Sequence, residues 1–178
     1  MAYRYFYDCE FIEDGRTIEL VSIAVVDEQG REFYAVSTEF DPSKAIEWVR
    51  RNVLDKLPAP ASPVWKNRSV IRDELYEFLV EPVRKKSGSH PGERIEMWAW
   101  IGAYDHVVLA QLWGAMPELP RALPRYTKDL RQRWEDLGRP ELPGADDADL
   151  HDALTDAKLN LARWKSLEAA RQERKLFG

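Results

Sequence analysis

The chain has 178 residues, 44% hydrophobic and 32% charged, with 31 acidic against 26 basic side chains and a net charge of −5. That length suits a single domain, residues 1–178, with a core of its own, and the acidic balance argues against a protein that coats nucleic acid non-specifically. One cysteine, Cys9, excludes an internal disulfide framework; with no apolar run near the ~18 residues of a membrane span and no secretory leader, a reducing cytoplasm is the expected setting.

Tyr3–Phe11 reads as the first strand. Within it Asp8 and Glu10 lie two apart, so both point to one face. Two acids on one face of an apolar strand are costly unless a positive charge lies between them. A divalent metal is the natural counter-charge, and carboxylate-held metals commonly handle phosphates. Ile18–Asp27 and Glu32–Thr38 follow as strands across short turns at Asp14-Gly15 and Gln29-Gly30, an antiparallel meander. Ser43 is placed to cap a helix through Ile46, Val49 and Val53. After a Pro-rich connection, Ile71, Leu75, Phe78 and Leu79 step at helical spacing, and Lys85–Arg94 reads as a mobile surface loop.

Ile95–Ile101 reads as a fourth strand ended by Gly102, and Asp105–Trp113 as a helix. Tyr126–Leu137 is ambiguous between a short strand and a helix. A Pro/Gly/Asp loop leads to the last helix, whose core stripe is Leu154, Ala157, Leu161 and Trp164; the charged tail over 171–178 is expected to fray. The pattern predicts an α/β fold in which the long helical passage acts as a crossover, returning the fourth strand parallel to the first.

Asp105 falls at a strand-to-helix junction, where it either caps the helix or faces a ligand at the carboxyl ends of the strands. His151 and Asp156 are five residues apart at the start of the final helix. On an ideal helix such positions diverge by about 140°, so they converge only if His151 lies in the preceding loop. A fixed acid and a mobile histidine would suit a metal ligand and a general base. Two cations ~4 Å apart clamp a scissile phosphate; Asp8, Glu10 and Asp156 could hold them, with Asp105 bound directly or through water, while His151 deprotonates the attacking water.

These residues resemble the three motifs of the DEDDh 3′–5′ exonucleases of the ribonuclease H-like superfamily. His151-Asp152-Ala153-Leu154-Thr155-Asp156-Ala157 is similar to that group's His-x-Ala-Leu-x-Asp-Ala. Phe11-Ile12-Glu13-Asp14-Gly15 and Trp98-Ala99-Trp100-Ile101-Gly102-Ala103-Tyr104-Asp105-His106 look like its bacterial polyadenylate-specific 3′-exoribonuclease branch, over about residues 3–165. The resemblance implies a ribonuclease H-like fold with a five-stranded mixed sheet flanked by helices. It implies 3′–5′ removal of nucleoside monophosphates from single-stranded RNA, two Mg²⁺ or Mn²⁺ ions per site, and a homodimer. Phe11 stands where many relatives have a small residue, and Gly102 where many have Asn.

For the substrate, Phe11 is a candidate stacking surface beside Glu10, although strand alternation places it on the opposite face. Tyr104, next to Asp105, is a candidate pocket residue, whereas Trp98 and Trp100 read as core. Arg121, Arg125, Lys128, Arg131 and Arg133 form either a phosphate track or a solvated helix face. A DNA exonuclease would use the same acids, the 2′-OH being the discriminating group, and an inactive nucleic-acid-binding module could keep the fold.

Overall fold

The computed structural model describes residues 2–86, 95–144 and 151–177. Among the described residues six strands form one mixed sheet: β1 (Tyr3–Glu13), β2 (Ile18–Asp27), β3 (Glu32–Ser37), β4 (Trp65–Lys66), β5 (Ile95–Ala99) and β6 (Lys128–Asp129), in the order β4-β3-β2-β1-β5-β6. β1 lies inside the sheet, antiparallel to β2 and parallel to β5, with Phe6 opposite Trp98. The crossover and the parallel return therefore stand. The five-strand expectation is corrected to six: β4 and β6 are two-residue strands paired parallel to β3 and β5. β6 and the helix after it resolve the ambiguous 126–137 segment as strand then helix.

The helices are α1 (Glu47–Asn52), α2 (Arg68–Lys86), α3 (Ala103–Ala110), α4 (Leu130–Asp136) and α5 (Ala153–Phe177). Alternation along β1 feeds two cores. Tyr5, Tyr7 and Cys9 pack with Ile71, Leu75 and Leu79 of α2 and Val108 and Leu109 of α3. Phe6 faces the other way, towards Leu130 of α4 and Ala153, Ala157 and Leu161 of α5. Pro82 inside α2 cannot donate to the Phe78 carbonyl four residues back, and Arg31 Nη2 donates to that carbonyl instead at 3.3 Å.

The β1–β2 register slips just past Glu10: Glu10 pairs with Ser22 but Phe11 with Leu20, leaving Val21 as the extra residue of a bulge. Val21 and Ile12 pack there with Ala45 and Val53, which seats the α1 segment over the end of β1.

Two further expectations, the Ser43 cap and the start of the Lys85–Arg94 loop, are corrected. Asp41, not Ser43, caps the turn ahead of α1, by accepting from Ser43 N–H at 2.9 Å. The tail over which fraying is expected is helical here: α5 runs to Phe177, and Arg174 Nη1 donates to the Asp136 carbonyl at 3.2 Å. Lys85 and Lys86 are helical, and the rest of the expected loop, 87–94, lies outside the described residues. Among the described residues no helix is long and apolar enough to cross a membrane.

Candidate active site

Asp8 and Glu10 share the face of β1 that carries Phe6 and open into a cavity of about 490 Å³. Asp105, the third residue of α3, joins them from behind. Its Oδ1 accepts from Cys9 N–H at 2.8 Å, which pins the carboxylate to β1. It does not cap its own helix, whose N-cap position is Gly102.

Asp156 enters from the first turn of α5, which Asp152 caps by accepting from Thr155 N–H at 2.8 Å. His151 lies ahead of the helix with φ 65, a left-handed conformation costing a non-glycine residue about 1–2 kcal/mol. Asp156 Oδ2 holds that reversal by accepting from His151 N–H at 2.8 Å. The off-helix placement of His151 is as its spacing requires. The backbone beneath the ring is, however, tied rather than loose, and the ring sits edge-on to Trp48 with centroids 4.6 Å apart. Ligand atoms of Glu10, His151 and Asp156 all lie within 4.8 Å of one another. Such a set of carboxylate oxygens, with one imidazole, suits a hard divalent cation.

Packing acids this closely costs free energy. Burial, then repulsion from Asp105 and Glu10, pushes Asp8 well above the usual carboxylate range. Glu10 is pushed up to about 8 by burial and by Asp156 and Asp105, with Lys56 opposing. Burial raises Asp105 to about 6 despite the Cys9 N–H, and raises Asp156 as well. Folded carboxyls then keep protons that the unfolded chain releases. For Glu10 that window runs from 4.5 to about 8, and stability falls as pH rises through it. In EDTA, the melting temperature is expected to be several degrees lower at pH 8 than at pH 5.5. A metal-free protein that grows more stable over this range would contradict the assignment.

Part of the cavity lining is apolar and was not legible as functional: Ile46 and Trp48 are 61% and 50% exposed, beside Val49. Asn160 and Arg163 line the cavity too. Asn160 is buried and donates to the Tyr7 carbonyl at 3.0 Å, and Arg163 lies 4.4 Å from the centroid of Trp100. Their offsets of four and seven from Asp156 are the helical signal that could have found them.

Phe11 is on the face opposite Glu10, as alternation requires, half-buried against the α2–α3 core and stacked on Tyr104; it still reaches the cavity. Tyr104 lines the cleft next door rather than the cavity of the acids. Trp98 is core, but Trp100 is half-buried and lines the cavity, which corrects the core reading for that residue. The basic cluster does not assemble as a track at the acids. Lys128 pairs with Glu96, Arg131 with Glu135 and Arg133 with Glu168, while Arg125 donates to the Leu119 carbonyl.

The Gly102 departure has a steric cause. A Cβ there would meet Ala99 Cβ at 2.5 Å and Thr127 Cγ2 at 3.1 Å, while Gly102 N–H donates to Asp129 Oδ2 at 3.1 Å. Gly102→Ala is therefore expected to cost about 1–3 kcal/mol, read as a lower melting temperature, and to displace Asp105. An unchanged melting temperature would mean that the junction relaxes freely.

The mixed sheet with helices on both faces is a fold found among nucleases. The chain superposes on the Neurospora crassa Pan2 catalytic unit (protease and nuclease domain) with a TM-score of 0.54 at 11% identity, over 98% of this chain and 28% of that one. It superposes on cell-death related nuclease 4 (CRN-4) with a TM-score of 0.50 at 12% identity, over 94% of this chain and 64% of that one. At such identities the likeness concerns the fold alone. Sequence carries the assignment further: the chain belongs to the 3′-5′ exoribonuclease Rv2179c-like domain family, whose sequence model matches residues 3–167. It is 57% identical over 162 residues to the 3′-5′ exoribonuclease Rv2179c of Mycobacterium tuberculosis (strain ATCC 25618 / H37Rv), covering 91% of each chain. It is equally similar to 3′-5′ exoribonuclease MT2234.1 of strain CDC 1551 / Oshkosh.

Proposed function

We propose that this chain is a DEDDh-type 3′–5′ exoribonuclease that releases nucleoside monophosphates from single-stranded RNA using two Mg²⁺ or Mn²⁺ ions. Family membership and 57% identity to a named exoribonuclease support the reaction. The observation that carries the mechanism is the gathering of Glu10, His151 and Asp156 within 4.8 Å, in one cavity with Asp8 and Asp105.

Asp8, Glu10 and Asp156 would hold the ions, with Asp105 directly or through water. The ions would neutralise charge on the attacking and leaving oxygens of the phosphate. His151 takes a proton from the attacking water, with its backbone anchored by Asp156. The apolar lining of Ile46 and Trp48 offers a bed for the terminal base in the same cavity as the acids, which Phe11 also lines. Arg163 brings positive charge to an otherwise acidic cavity. The reading includes a homodimer, which the mass in solution tests.

The test is incubation with matched 5′-labelled single-stranded RNA and DNA. The expected result is a ladder shortening from the 3′ end, faster on RNA and abolished by EDTA. Faster shortening of DNA would reassign the substrate. No shortening by folded protein, with Mn²⁺ also tried, would leave a nucleic-acid-binding module.

A further inference from the structure

Past Phe11 the catalytic cavity adjoins a second cleft, of about 320 Å³, between the β1–β2 turn and α3, with Glu13 lining both. Tyr104 stands in this cleft 60% exposed. Its ring is backed by Phe11, the two planes within 13° and the centroids 5.9 Å apart. On the turn side stands Arg16, exposed. Among the described residues its guanidinium forms no ion pair, whereas Arg4, Arg31, Arg84, Arg131 and Arg133 are all paired to carboxylates. The turn does not need that side chain. Asp14 Oδ1 sets it by accepting from Arg16 N–H at 2.8 Å and Thr17 N–H at 2.6 Å, and Glu13 is held by Gly15 N–H at 2.8 Å.

We propose that this cleft is the subsite for the penultimate nucleotide of the RNA, its base stacked on Tyr104 and the phosphate on its 5′ side held by Arg16. The inference rests on the exoribonuclease reading above. The scissile phosphate joins the last nucleotide to the penultimate one. With that phosphate at the acids and the last base against Trp48, the strand has to leave the cavity, and the cleft that shares Glu13 with it is open to the next nucleotide. A backed aromatic ring with one free cation is what sequence-tolerant binding of a single strand requires. Leaving an acidic cavity, the strand's next phosphate gains from a positive charge that no protein carboxylate already neutralises.

The test compares two substrates on the full chain with Mn²⁺: the p-nitrophenyl ester of uridine 5′-monophosphate, which has no penultimate nucleotide and no phosphate beyond the scissile one, and a 5′-labelled hexaribonucleotide. Arg16→Ala is expected to lower kcat/KM on the hexamer by about tenfold more than on the ester. A methylphosphonate in place of the phosphate 5′ to the penultimate nucleotide should erase that difference. An abasic penultimate nucleotide should cost the wild type about tenfold and Tyr104→Ala much less. Variants that lose equally on both substrates, or on neither, overturn the subsite while leaving the exonuclease reading in place. A wild type that cleaves neither substrate overturns both.

Discussion

Asp8→Asn is expected to move activity and stability in opposite directions. Asp8 is the acid that the other three all act on, with Asp105, Glu10 and Asp156 each raising it. As a proposed ligand it fixes the charge that neutralises the scissile phosphate. Losing that charge should lower turnover by about 10³-fold or more, the equivalent of several kcal/mol of electrostatic stabilisation. The same substitution removes a half-buried charge from a cluster that repels itself. In EDTA at pH 8 the variant should melt higher than the wild type, by about 2–4 °C for each kcal/mol relieved. Steady-state rates on labelled RNA and paired melting curves read the two effects. Retained turnover, or a variant less stable than wild type in EDTA, would remove Asp8 from the role assigned to it.

His151→Asn should leave the fold in place and slow the chemistry. Asparagine accepts the left-handed backbone that His151 adopts, and the N–H that Asp156 accepts remains. The expected loss is about 10²–10⁴ in kcat, with KM for the oligonucleotide and the metal-free melting temperature little changed. Single-turnover rates separate this from a positional effect. A variant with wild-type kcat would take proton transfer away from His151, and one that melts well below wild type would assign the residue to the turn.

The residues that were legible in the sequence have short-range causes. Asp8 and Glu10 share a face because strands repeat every two residues. His151 had to leave the helix because five helical steps would have carried it round to the other side. What escaped has causes that lie across the sheet. Val21 is the extra residue of a bulge, but Leu20–Val26 is so uniformly buried that no change of alternation marks the slip. Trp65–Lys66 and Lys128–Asp129 are too short to show a period and exist because β3 and β5 offer them free edges. Nothing in the sequence sets Trp48 apart, because its place beside the acids follows from the packing of Ala45 and Val53 on Val21 and Ile12, which are distant in sequence. Arg163 is one more basic residue on a charged helix until Asp156 and Asn160 are seen to share its side. The cluster around Arg131 failed as a track because Glu96, Glu135 and Glu168 claim its members locally.

Asp129 serves two elements at once: Oδ1 caps α4 while Oδ2 accepts from Gly102 N–H ahead of α3. Followed outward, its contacts close a circuit. Asp105 ties α3 to Cys9 of β1, Arg133 ties α4 to Glu168 of α5, and Asn160 ties α5 back to the Tyr7 carbonyl of β1. A frame closed in this way behaves like a braced truss rather than a row of posts. The repulsion among the carboxylates loads every member together, and the spacing of the acids belongs to the whole domain rather than to any one of the strands and helices that carry them.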